Sequence, residues 1–340
     1  MTGRARPARR EGSPGQLWRR LTSSTRDDRG DPAEPWETAV SAEQAARIGS
    51  PGVRGRPYRP ARFEEVPAGA ADALEEVCGD LSLHQLFVVP RTARWTDPSG
   101  KRCVATPTEV VALGDRVVAM WVDDPAGARV RVVVPVGRLA AIVKRNVLLY
   151  GRVAFVGAEV SLVIRYNTVA EPDLRNSLLA VRTAMAGPPV PTPAAFHWPG
   201  HPTLGRGREA ALPYKWRVVL GSGEVNLVRG EPATVAVGGI EDARARRPGI
   251  AVLGSREFVI VTDPTEDVED ARYGFDVCTV PRSCLRSLAW DGGMLTVVAA
   301  PDTTAGLGPV EAHPEPILVP LDRRLGEAMR DAFAGQVRWD

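Results

Sequence analysis

"VVALGDRVVAMWVDDP" at residues 110–125 returns in altered form as "IAVLGSREFVIVTDP" at 250–264. Each reads as strand, tight turn, strand, with β-forming apolar residues on both sides of a Gly-Asp or Gly-Ser pair. Leu113, Gly114, Arg116 and Asp123 fall on Leu253, Gly254, Arg256 and Asp263, each 140 positions later. After a loop six residues longer, "VPVGRLAAI" (134–142) matches "VPRSCLRSL" (280–288), and "YGRVAFV" (150–156) lies against "GGMLTVV" (292–298). One matching hairpin would carry little weight. The same order of five or six elements predicts two copies of one small β-rich domain.

Strands are expected at "HQLFVVPR", "CVATPTEVVALG", "RVVAMWVD", "RVRVVVP", "VLLYGRVAFVG" and "VSLVIRYNTV" in the first copy. A helix from about Ala68, stopped by Gly79, precedes them, and one opened by Pro172 with an apolar stripe of Leu174, Leu178, Val181 and Met185 follows. The second copy opens at "YKWRVVLGSGEV" (214–225), continues through the repeated hairpin, "FDVCTVPRSCLRSLAWDGGMLTVVAAP" and "PILVPL", and closes on the helix "LGEAMRDAFAG". Between the copies, "AGPPVPTPAAFHWPGHPTLGRG" (186–207) is too rich in proline for either element and reads as a linker. The expected organisation is a disordered Arg/Pro-rich tail (1–62), a first domain with its N-terminal helix (63–186), a linker (187–212) and a second domain (213–340).

This order of antiparallel hairpins ended by a helix resembles the bacterial pleckstrin-homology-like domains. In that family a "PGE"-like turn precedes a hairpin and a strand opened by an "ip" pair. "GSGEV" (221–225), "PGIAVLGSREFVIVTDP" and "VPRSCLRSLAW" stand in those places in the second copy; "TPTEVVALGDRVVAMWVD" and "VPVGRLAAIVK" do so in the first. The usual Thr-Asp/Asn-Arg turn is replaced by "LGDR" and "LGSR", and the second copy carries the insert "PDTTAGLGPVEAHPEP". The resemblance implies a mainly β (α+β) fold of two similar, partly open antiparallel β-barrels, each capped by a C-terminal helix. It also implies binding or assembly in place of catalysis.

The 340 residues are 44% hydrophobic and 25% charged with a net charge of +2, a soluble globular balance that predicts no polyanionic partner for the chain as a whole. No apolar run is long enough to cross a membrane as a helix, and no apolar stretch follows the N-terminal arginines, so a cytoplasmic location is expected. Cys78, Cys103, Cys278 and Cys284 have neither CxxC spacing nor another metal-ligand pattern and read as free thiols.

Catalytic and cofactor motifs fail on context. His197 and His201 have the four-residue spacing of a zinc helix, but Pro199 and Gly200 lie between them and no Glu follows His197. "GRGREA" (205–210) mimics a dinucleotide fingerprint without the strand-helix unit it needs. No P-loop or GxSxG elbow is present. The sequence therefore predicts a non-enzymatic interaction or scaffold protein with no metal or cofactor.

The candidate recognition residues lie in "KRNVLLYGR" and "VIRYNTV": Lys144, Arg145, Arg152, Arg165 and Tyr166, with Tyr150 nearby. Guanidinium groups converging on one rim suit carboxylate or phosphate recognition through forked hydrogen bonds. The second copy has Arg282 and Arg286 in their stead. The expected partner is a protein, or further copies of the chain itself. Anionic membrane headgroups meeting the same rim, and nucleic acid meeting the basic tail alone, are the alternatives.

Overall fold

The structure is a computed structural model of the chain and describes residues 57–91, 95–96, 102–103, 107–124, 127–147, 150–157, 160–187, 189, 233–238, 247–263, 274–301 and 316–340. Most of the expected tail and linker, the opening "YKWRVVLGSGEV", the insert after Ala300 and both the His197/His201 and "GRGREA" motifs lie outside these residues.

In the first half a short helix α1 (Ala70–Cys78) is followed by β1 (Leu86–Val89), the two-residue strands β2 (Trp95–Thr96) and β3 (Arg102–Cys103), β4 (Thr108–Leu113), β5 (Val117–Asp124) and β6 (Gly127–Pro135). β7 (Leu139–Val147), β8 (Tyr150–Gly157), β9 (Ser161–Asn167) and helix α2 (Glu171–Met185) complete it. The second half runs β10 (Ala233–Gly238), β11 (Gly249–Gly254), β12 (Glu257–Thr262), β13 (Phe275–Pro281), β14 (Leu285–Trp290), β15 (Met294–Ala299), β16 (Ile317–Pro320) and α3 (Arg323–Ala332). The fold is mainly β.

Four strands (β1-β4-β5-β6) form one sheet and three (β14-β15-β16) another. The largest has the order β10-β11-β12-β13-β7-β8-β9 and draws strands from both halves. Its junction is the antiparallel pairing of β13 with β7, from Phe275↔Asn146 to Thr279↔Ile142. No closed barrel is present among the described residues: the edge that would turn β7 toward its own barrel is spent on the other half.

Registers in the two halves coincide. Leu113 pairs with Val118 and Val118 with Val134; Leu253 pairs with Phe258 and Phe258 with Val280. Val136 N donates to Arg116 O as Arg282 N does to Arg256 O, both at 2.7 Å. The β7–β8 register slips between Leu139 and Ala141, and β14–β15 slips at the matching place, between Leu285 and Ser287.

The continuous apolar runs reflect burial on both faces of strands, where alternation has no solvent side to mark. On one face of the first sheet, Phe87, Val111, Leu113, Val118 and Met120 pack with Phe155, Ile164 and the Leu174/Leu178/Val181 stripe of α2. On the other, Leu86, Val88, Val110, Ala112 and Trp121 meet Ala70 and Leu74 of α1. β7 is divided in the same way. Ile142 faces the first core, whereas Ala141 and Val143, with Ala154 and Val156, join Phe258, Ile260, Leu288, Leu295, Leu325 and Phe333 in the second. The halves share a core as well as a sheet.

Two expectations change. The engaged chain starts before residue 63, because Tyr58 and Val88 exchange both backbone hydrogen bonds (3.0 and 2.9 Å) and Arg59 Nη2 donates to Asp173 O and Ser177 Oγ. β10 is not among the strands expected, although Thr234, Val235 and Val237 of "ATVAVG" are good strand formers.

Candidate anion-recognition site

The site grows from one row of the seven-stranded sheet. Residues paired directly across antiparallel strands share a face. Thr262↔Asp276, Asp276↔Arg145, Arg145↔Arg152 and Arg152↔Arg165 place three arginines on consecutive strands β7, β8 and β9, with Asp276 of β13 at the inner end. Arg145 Nε lies 3.5 Å from Asp276 Oδ1. Exposure rises outward: Asp276 is buried, Arg145 and Arg152 are half-buried and Arg165 is exposed.

The charges act on one another. Burial first, and then the like charges of Arg165 and Arg145 on either side, together lower the Arg152 guanidinium to about 10. Burial pushes the Asp276 carboxyl up to about 7; Arg145 and Arg247 oppose that rise and Asp263 adds to it. The row sets three guanidinium groups on adjacent strands and ends on a buried carboxyl raised to about 7. Its forked donors, a strand spacing of roughly 5 Å apart, suit a carboxylate or phosphate laid along it.

Lys144 and Tyr166 do not belong to this strip. Each is the immediate neighbour of an arginine of the row on the same strand, and successive side chains of a strand point to opposite faces. Lys144 is 2% exposed, ion-pairs with Glu171 at the first position of α2, and lies 5.5 Å from the ring centroid of Phe275. The Tyr166 hydroxyl sits 2.5 Å from Glu171 Oε2 and 2.8 Å from Asn146 Oδ1, while Asn146 Nδ2 donates to Glu171 Oε2 at 3.2 Å. These four residues fasten α2 to the sheet, and Tyr166 packs so closely on Gly151 that a Cβ there would clash with its ring atoms.

Residue patterns alone missed Asp276, Glu171 and Asn146. The available signals were faint: an aspartate inside the apolar strand "FDVCTVP", and a glutamate opening the helix that follows "RYNT". A second buried pair was missed for the same reason. Arg182 of α2 donates from Nε to Glu257 Oε1 (3.3 Å) and from Nη2 to Glu257 Oε2 (2.7 Å), tying the first half to β12.

Among the described residues no cluster of three or more His, Cys, Asp or Glu has the geometry to hold a metal ion. Cys278 is buried, with its thiol pushed up to about 12. No described helix is long and apolar enough to cross a membrane. Comparison of the chain with protein-family models, with curated proteins and with solved structures finds no match in any of the three.

Proposed function

We propose that the protein is a non-enzymatic interaction module of two pleckstrin-homology-like units, and that it recognises an acidic segment of a protein partner along Arg145, Arg152 and Arg165. The row of three arginines on adjacent strands carries this reading. The two-unit reading draws support from the element order, since each half, setting aside α1 and the small β2–β3 pair of the first, runs four antiparallel strands, a three-strand meander and a helix. It draws further support from the shared registers and the shared slip after Leu139 and Leu285.

A protein partner suits the row better than a lipid surface does. A membrane rewards an unbroken, exposed basic patch, whereas this row runs from exposed Arg165 through half-buried Arg152 and Arg145 to buried Asp276 and so has a direction along the strip.

The test is affinity capture from lysate of the source cell, with the full chain and its Arg165→Glu variant as baits. The reading predicts a protein retained by the first and lost with the second. Identical capture by both baits, or binding of the full chain to anionic vesicles with no protein retained, contradicts it.

A further inference from the structure

The two halves meet through unlike edges. β7, the first strand of a three-strand meander, adds to β13, the last strand of a four-strand run. A contact between unlike edges leaves one edge of each kind at the far ends of the molecule. Those edges are the outer side of β6, which corresponds to β13, and the outer side of β14, which corresponds to β7. No described strand pairs with either.

β13 is buried along nearly its whole length, but β6 exposes Gly127, Ala128, Arg129, Arg131 and Val133, the last at 41%. Exposed apolar surface on a sheet edge invites another strand.

Charges at the two outer edges match with inverted sign. Val122↔Arg129 and Thr262↔Asp276 are equivalent pairs, so Arg129 stands in β6 where Asp276 stands in β13. Arg145 pairs with Arg152, and the equivalent contact in the second half is Asp291 N donating to Met294 O at 3.3 Å, so Asp291 stands where Arg145 does. The internal junction sets Arg145 against Asp276. A second junction of the same geometry, between copies, sets Asp291 against Arg129.

A short strap lies over the β14 edge. Leu288 N donates to Arg338 O at 2.9 Å and Asp340 N to Leu288 O at 3.0 Å, so Trp339 bridges Leu288 in parallel. Leu288 is the counterpart of Ile142, whose partner across the internal junction is Thr279. Residues 338–340 thus hold, through two backbone hydrogen bonds, the place that an incoming strand would take.

We infer that the protein assembles head to tail with further copies of itself. β6 of one copy adds to β14 of the next in the antiparallel sense of β13 on β7, Arg129 faces Asp291, and residues 338–340 are the strap that must leave Leu288. The register slip between Met120 and Trp121 and the two edge arginines turn away arbitrary strands. The admitted strand must bring an acidic residue opposite Arg129, as Asp291 does at the residue after β14, where its carboxylate also accepts from Gly293 N and Met294 N. This inference rests on the equivalence of the halves and not on partner recognition by the arginine row, whose residues its test leaves intact.

Sedimentation equilibrium of the full chain carrying Trp339→Ala, which loosens the strap, is the first test. The expected result is a mass that climbs past dimer as concentration rises. Arg129→Glu or Asp291→Arg alone should return it to monomer, and the two together should restore association. As a check that leaves the strap unaltered, Val132→Cys with Ala289→Cys under mild oxidation should give a non-reducing ladder of dimers, trimers and larger species, absent from either single variant. A monomer at every concentration, a limit at dimer, indifference to charge reversal, or no ladder overturns the inference and leaves Arg129 and Arg131 as guards of a blunt edge.

Discussion

At the scale of single residues, neighbours on one strand do opposite work. Arg145 and Arg165 face the exposed row, while Lys144 and Tyr166, one position away, are locked to Glu171 on the other side. Lys144→Met removes the positive partner of a largely buried glutamate and is expected to cost about 3 kcal/mol of stability in urea denaturation. Arg165→Gln, at an exposed position, is expected to stay within about 0.5 kcal/mol of the parent. Asp276 makes a pH prediction. Its carboxyl is raised from an ordinary 3.8 to about 7 by burial, so between those values the folded protein keeps a proton that the unfolded chain has released. Stability from this group is fully present below about pH 4 and is lost as the pH rises toward 7. Asp276→Asn is expected to flatten the denaturation midpoint against pH over that window; an unchanged slope contradicts the burial account. The strand period made part of this legible: residues 144 and 145, like 165 and 166, cannot converge on one side of a sheet. Asp276 was not legible in the same way, because its place beside Arg145 depends on a pairing between segments far apart in the chain.

At the scale of elements, the hairpins around Gly114 and Gly254 could be read directly, since turn chemistry and flanking β-formers agree locally. The closing helices were legible from their apolar periodicity, but what they rest on was not. α3 begins against bare backbone: a side chain on Gly238 would collide with Leu325 and the main chain of Arg324. Gly238→Ala is therefore expected to lower stability by about 2 kcal/mol, as an overpacking change. α2 is held to the second half by the forked Arg182–Glu257 pair, buried at both ends. Removing one partner, as in Arg182→Met, strands a charge and should cost about 3–5 kcal/mol. Arg182→Met with Glu257→Leu should recover much of that loss, and a double-mutant cycle in urea measures the difference. Additive losses would mean that the two side chains do not act as a pair.

At the scale of the whole molecule, the repeat was visible in the sequence while its consequence was not. Two copies of one pattern suggest two separate barrels, because nothing in "RLAAIVKRNV" says which strand will lie beside it. The small residues Ala140, Ala141 and Ala154 mark the place where the halves meet, and they read equally well as an ordinary buried strand. With a common sheet and a common core, the halves are expected to unfold together, in one transition that far-ultraviolet dichroism and tryptophan fluorescence follow coincidentally. The most direct test of this account is native-state hydrogen exchange along β7 and β13 in the full chain. Fused halves predict that amides between Ile142 and Asn146, and between Phe275 and Thr279, include the slowest-exchanging in the protein and open only with global unfolding. Fast exchange there, beside protected strands β4–β5 and β11–β12, would mean that the halves separate and would contradict the shared sheet.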